Sequence, residues 1–308
     1  MKWFRRFFVP IILVFLVVIS YANSLNSGFV SDDISGIVKT AHTWTFPAVA
    51  VTKTVIHGQM LGLYVVYKLF GLAPWAYRLV NILCHAVSVL LVYAIVSRLT
   101  RRKIGFFAAA LFAVHPIIIE SVAWISGGIY CQYGMLFLLS FWLYLKGRGQ
   151  KTERREQTLY YLLSYVVYCF CLLFSEKASV LFLFFILYEF CFGNLKQNWR
   201  KLIPYFILSI ILILFYLSQL HGRIATVSQM IFGEVGGMYN PFIQLPIALS
   251  SYFQLIIWPN NLTFYHSSNL AIGLDYVLRA IVFGFYIVGI VITAIKNRKL
   301  CFWLVWFW

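Results

Sequence analysis

Apolar runs broken at short intervals by clusters of Lys and Arg set the plan of this 308-residue chain. Eight runs read as membrane spans, at about 7–24, 77–97, 104–122, 129–145, 158–175, 178–193, 202–220 and 273–295. Each must be helical, because hydrocarbon offers no water to satisfy backbone N–H and C=O groups. The pattern therefore predicts an all-α polytopic membrane protein. The final segment, Phe302-Trp303-Leu304-Val305-Trp306-Phe307-Trp308, stays apolar with no polar cap and reads as a truncated ninth span. Residues 1–308 are thus expected to form a single transmembrane domain, the N-terminal portion of a longer chain.

The charges orient these spans. With Lys2, Arg5 and Arg6 inside, the inner loops become 1–6, 98–103, 146–157, 194–201 and 296–299, and they hold 18 of the 25 Lys and Arg. The N-terminus then reads as an uncleaved signal anchor with a cytoplasmic end. A crossing at 241–258 would put Lys296, Arg298 and Lys299 outside, so that run is expected to be an interfacial or re-entrant helix, as is Val55 to Gly71. The outer segments are 25–76, 123–128 and 221–272. The expected location is the plasma or bacterial inner membrane rather than the endoplasmic reticulum.

Composition excludes a soluble fold: the chain is 62% hydrophobic, with mean hydropathy +0.84, 29 Phe, 20 Tyr and 10 Trp. The net charge of +16 lies in short loops rather than on one solvated domain, which argues against nucleic acid as a partner. The six cysteines lie in or beside apolar runs and read as small buried hydrophobes, with no metal cluster of His and Cys.

Only nine acidic residues occur. Glu153 and Glu156 sit in a basic inner loop, Glu189 is explained by snorkelling or by pairing with Lys196, and Glu234 and Asp275 lie in or next to the last outer loop. Asp32, Asp33, Glu120 and Glu176 remain, all at outer ends of spans and so able to line one cavity. Adjacent side chains diverge, so one of Asp32 and Asp33 would face a reaction and the other anchor the loop. The alternative is that Ser31 or Asp32 caps a helix starting near Ile34. His115 and Glu120 are five residues apart around Pro116 and do not share a helical face closely. Glu176 and Lys177 compensate each other, or Lys177 meets an anion with Glu176 orienting it. Arg78 either meets the same anion or snorkels to the interface. Such cations would neutralise charge on a departing phosphate oxygen.

Several segments, in matching order, carry a resemblance. Gly28-Phe29-Val30-Ser31-Asp32-Asp33 resembles the Asp-Asp or Asp-Glu motif of GT-C glycosyltransferases. Trp75-Ala76-Tyr77-Arg78-Leu79-Val80-Asn81, His115-Pro116 through Glu120 to Trp124-Ile125-Ser126-Gly127, Ser175-Glu176-Lys177, and Tyr252 through Leu255 to Pro259-Asn260-Asn261-Leu262 follow. The arrangement is similar to the transmembrane O-mannosyltransferases that carry tetratricopeptide repeats, and to their bacterial relatives, over roughly residues 8–265. The chain departs from that pattern in having Glu176 before Lys177, Gly128 where Arg is usual, His57-Gly58-Gln59-Met60 in place of an Arg-Pro pair, and no tetratricopeptide repeats.

The resemblance implies a GT-C-type helical bundle with about eight complete spans and interfacial helices in its outer loops. It implies transfer of a sugar, mannose or a similar hexose, from a polyprenyl-phosphate donor to an acceptor hydroxyl on protein, lipid or glycan at the non-cytosolic face. Asp32 would be the base of a single inverting displacement and Asp33 its support or second choice. Lys177 and Arg78 would hold the donor phosphate, with Glu120, His115, Glu176 and Tyr265 supporting the site or binding substrate. Trp44, Trp124 and Tyr265 could hold a sugar face. A leaving monophosphate handled by two cations needs no metal, with a divalent cation at Asp32 or Asp33 as the alternative. The rival readings are a transporter or flippase for a lipid-linked or anionic substrate, and a membrane scaffold.

Overall fold

The computed structural model describes residues 2–46, 51–52, 55–56, 58–149, 153–218, 241–260, 262 and 273–306. Nearly everything described is helical, as the apolar pattern requires. Two compact units are present, residues 1–180 and residues 181–308.

In the first unit, α1 (Lys2–Tyr21), α2 (Gly58–Phe70), α3 (Pro74–Leu99), α4 (Arg102–Val114), α5 (Ile119–Ala123), α6 (Gly128–Gly147) and α7 (Arg154–Phe174) follow in order. Pro74 opens α3, where a missing N–H costs nothing. At 26 residues that helix is about 39 Å long, enough to cross a bilayer with tilt. Its neighbours are α1, α4 and α6, and one core of Leu13, Val17, Tyr21, Ile82, Ala86, Val89, Ala109, Ala113 and Val122 joins α1, α3, α4 and α5. Helices α6 and α7 are fastened by a reciprocal pair: Ser140 Oγ donates to the Ser164 carbonyl and Ser164 Oγ to the Ser140 carbonyl, each at 2.7 Å. Buried hydroxyls thereby satisfy one another where no water is at hand.

The loop that follows α1 packs down rather than standing free. Ile37, Ala41 and Trp44 share a core with Val66 of α2, Ala76 and Tyr77 of α3, and Ile125. A single π-helical turn runs from Ile34 to Val38, and β1 (Val51–Thr52) pairs antiparallel with β2 (Val55–Ile56) just before α2. The helix expected over Val55 to Gly71 is thus shorter at its start, because its β-branched leading residues pair as a strand.

In the second unit, α8 (Phe182–Cys191) packs on α9 (Leu195–Ser218) and on α12 (Arg298–Trp306), while α10 (Pro241–Ile257) packs on α11 (Leu274–Lys296), which also meets α12. The buried Glu189 carboxylate accepts from the Asn194 N–H at 3.2 Å and from Asn198 Nδ2 at 3.0 Å, so it organises the turn between α8 and α9.

Among the described residues six helices are long and apolar enough to cross a membrane, and a seventh crossing results if α4 and the segment Pro116–Ala123 count as one span bent by 53°. The chain is a multi-pass integral membrane protein. The bend falls at His115-Pro116, where proline cannot continue the helix. The expected span at 178–193 is instead a short 3-10 segment, Glu176–Val180, followed by the ten-residue α8. At about 15 Å, α8 is half the thickness of a hydrocarbon core.

Candidate active site

The loop that follows α1 and the turn after α5 are held together by one arginine. Arg78, 1% exposed in the first turns of α3, donates through Nε to the Ala123 carbonyl at 2.8 Å and through its two terminal nitrogens to the carbonyls of Ser27 and Gly28. All three guanidinium nitrogens end on backbone oxygen. The side chain expected to meet a donor phosphate, or to snorkel, is in this structure a clasp between two loops.

Asp33 completes the joint from the other side. Its side chain is 0% exposed; Oδ1 accepts from the Ser126 N–H at 2.9 Å and the Ser126 hydroxyl at 2.6 Å, and Oδ2 accepts from the Val30 N–H at 3.2 Å. Arg78 and Asp33 also attract one another electrostatically. Three donors and a nearby cation make this carboxylate an anchor.

Asp32 is turned the other way. Its side chain is exposed and makes no hydrogen bond or ion pair among the described residues. The two acids part because adjacent side chains diverge, and Ser31 before them has a φ of +49°, the single positive value among the described non-glycine residues. That left-handed step lets the chain turn sharply into the helical residues 32–38. The capping alternative fails here, since no side chain bonds the start of the Ile34–Val38 turn.

Polar side chains that sequence reasoning gave no role close the joint. Gln59 Nε2 donates to the Ser126 carbonyl at 3.1 Å, Asn81 Nδ2 to the Trp124 carbonyl at 3.3 Å, and Gln132 Nε2 to Asn81 Oδ1 at 3.0 Å. Gln59 belongs to the His57-Gly58-Gln59-Met60 segment that replaces the expected Arg-Pro pair; His57 lies outside the described residues. Gly128 has a reason too: a Cβ there would sit 2.1 Å from Asn81 Oδ1. The signal for this group was the conjunction of Asn81 with the run Trp124 to Gly128.

Beside the joint lies an apolar cavity of about 240 Å³. Leu63 and Val66 of α2, Tyr77 and Asn81 of α3, Gln132 and Leu136 of α6, and Phe170 and Phe174 of α7 are among its walls. Asn81, Gln132 and Ile125 thus connect the cavity to the loop that Asp33 anchors.

The remaining predicted residues are spread around these loops. Lys177 is exposed, donates from Nζ to the Tyr130 hydroxyl at 3.3 Å and stands 4.7 Å from the centre of the Tyr130 ring, a cation–π contact. Glu176 opens the Glu176–Val180 segment. The half-buried His115 accepts from the Ile117 N–H through Nδ1 at 3.3 Å and caps the short Pro116–Ile118 turn. Glu120 lies exposed in the first turn of α5. Trp44 is buried against Tyr67 and belongs to the core under the loop. Tyr265 falls outside the described residues.

No three His, Cys, Asp or Glu side chains converge on a metal position among the described residues. A cation at the acidic pair would find Asp32 available, whereas the Asp33 oxygens already accept three hydrogen bonds.

Residues 61–218 match the sequence model of a family described as dolichyl-phosphate-mannose-protein mannosyltransferase. The match takes in Arg78, His115, Glu120, Glu176 and Lys177; Asp32 and Asp33 precede it. Protein O-mannosyl-transferase TMTC3 of Mus musculus is 30% identical over 154 residues, 45% of this chain and 17% of that protein. Protein O-mannosyl-transferase Tmtc1 of Drosophila melanogaster is 32% identical over 149 residues, 42% of this chain and 17% of that protein. The chain thus matches less than a fifth of the length of these relatives. A crystal structure of the Archaeoglobus fulgidus oligosaccharyltransferase, tethered to an acceptor peptide, superposes with a TM-score of 0.51 at 12% identity, covering 98% of this chain and 45% of that one. At that identity the likeness concerns the fold, which is of the GT-C type.

Proposed function

Because the chain belongs to the dolichyl-phosphate-mannose-protein mannosyltransferase family, we propose that it acts as a membrane glycosyltransferase. It moves mannose or a similar hexose from a polyprenyl-phosphate donor to an acceptor hydroxyl at the non-cytosolic face. The observation that carries this reading is the division of labour in the acidic pair. Asp33 is consumed by Ser126 and Val30, while Asp32 is left exposed with no bonded partner among the described residues. A carboxylate without a bonded partner, set beside a neighbour whose bonds fix the loop, is suited to receive a proton.

In this mechanism the acceptor hydroxyl gives its proton to Asp32 as its oxygen attacks the anomeric carbon. A new C–O bond forms, the bond from that carbon to the phosphate oxygen breaks, and lipid monophosphate departs with the electron pair. Lys177, exposed and held by Tyr130, is a cation of the first unit that remains available to such an anion. The relatives are named protein O-mannosyl-transferases, which favours a Ser or Thr hydroxyl of a protein as acceptor. The clusters of Lys and Arg support a cytoplasmic N-terminus and therefore an outward-facing Asp32.

Reconstitution of the full-length protein with labelled polyprenyl-phosphate mannose and hydroxyl acceptors tests the assignment. Asp32→Asn should lower transfer by about 10²–10⁴-fold, the range for loss of a general base, with membrane insertion unchanged. Wild-type rates in that variant would remove Asp32 from the role.

A further inference from the structure

The apolar cavity of about 240 Å³ beside the joint has one polar atom in its wall that the described residues leave without a partner. Gln132 Nε2 donates to Asn81 Oδ1 at 3.0 Å, but Gln132 Oε1 accepts nothing among the described residues. The neighbouring donors are committed elsewhere: Asn81 Nδ2 to the Trp124 carbonyl at 3.3 Å, and the Tyr77 hydroxyl to the Gly71 carbonyl at 2.9 Å. On the α2 side the space is open, since a Cβ at Gly62 would meet nothing within 4 Å. Phe170, 54% exposed, belongs both to the wall and to the outer surface of the membrane-length helix α7. A molecule dissolved in the bilayer therefore has a way in.

We propose that this cavity binds a neutral long-chain alcohol. An apolar cavity of roughly 150 Å³ already stays dry and accepts benzene, so this larger one suits a hydrocarbon body. A lone water at Gln132 Oε1 would lack the roughly two to four polar partners that hold a buried water. The amide oxygen asks for one donor, and a hydroxyl is a neutral group that supplies one from the end of an aliphatic chain. No charged side chain is among the described lining residues, so a phosphate or carboxylate head would enter without a counter-charge, at a desolvation cost that nothing there offsets. Occupancy has a structural consequence as well. Ile125 forms part of the wall, and its neighbour Ser126 holds Asp33. A bound alcohol thus buttresses the turn on which the acidic loop is anchored.

The full-length protein in phosphatidylcholine nanodiscs, illuminated with a diazirine-bearing decanol and mapped by peptide mass spectrometry, tests the site. Labels should fall on wall residues of α2, α6 or α7. At equal bilayer concentrations 1-decanol should displace the probe about tenfold better than decane, which is what one net hydrogen bond is worth. Gln132→Leu should abolish that preference. Gly62→Leu, which fills the space without touching Gln132, should lower labelling severalfold while thermal stability is kept. Equal displacement by decanol and decane in the wild type would overturn the alcohol assignment and mark a pocket for acyl chains instead. A preference that survives Gln132→Leu would remove Gln132 as the partner, and labelling indifferent to Gly62→Leu would remove the cavity as the site. None of these readings involves sugar transfer, so the site and the proposed function stand or fall separately.

Discussion

Arg78 and Arg279 both sit near the N-terminal end of a membrane-length helix, and each gathers a different kind of partner. Arg78 is buried and spends every guanidinium nitrogen on carbonyls from two separate loops. Arg279 is partly exposed, meets hydroxyls and a carboxylate, and keeps one nitrogen unused among the described residues. Carbonyls of a folded backbone cannot leave, so the first arginine is a fixed part of the structure. Hydroxyls rotate and a surface carboxylate can move, so the second can exchange partners. Position on a helix therefore says little about what a membrane arginine does; the partners decide.

The comparison can be broken most forcefully at Arg78. Arg78→Ala removes three hydrogen bonds from a charged donor, and with roughly 1–3 kcal/mol for each the first unit should lose at least about 3 kcal/mol, read as a large fall in thermal unfolding temperature. Arg78→Lys should fail to restore it, because one ammonium cannot span Ser27, Gly28 and Ala123. Asp33→Ala is expected next, at about 2–3 kcal/mol for a charged acceptor of three hydrogen bonds. Asp33→Asn, which keeps one acceptor oxygen for Ser126, should cost less. The same measurement on Asp32→Asn should show almost no change, which separates the anchor from the base.

Among the destabilising changes Gly128→Ala is expected to have the smallest effect, about 1–3 kcal/mol of overpacking against Asn81. In an Asn81→Ala background most of that loss should disappear, and a double-mutant cycle in thermal unfolding would show it.

Much of this fold was legible before any coordinates. Hydropathy located the long helices, and Pro116 announced the bend, because both depend on neighbours in sequence. The parting of Asp32 from Asp33 was also legible, since adjacent side chains must diverge. Which acid would turn inward was not, because that depends on Ser126, 93 residues away. Arg78 misled for the same reason: its acceptors lie about 50 residues to either side, and no periodicity encodes a backbone carbonyl. Glu189 was read as snorkelling or pairing with Lys196, yet it bonds the Asn194 N–H and Asn198. A local turn had more use for its oxygens than the interface did.

Ser31 carries a wider consequence. With φ at +49° it holds a conformation that most side chains resist, and two negative charges follow directly on it. Glycine would hold the same shape with less effort, whereas valine or isoleucine would push the backbone out of it. The loop would then unwind from its fixed end, and the Asp32 carboxylate would no longer have a defined place to stand.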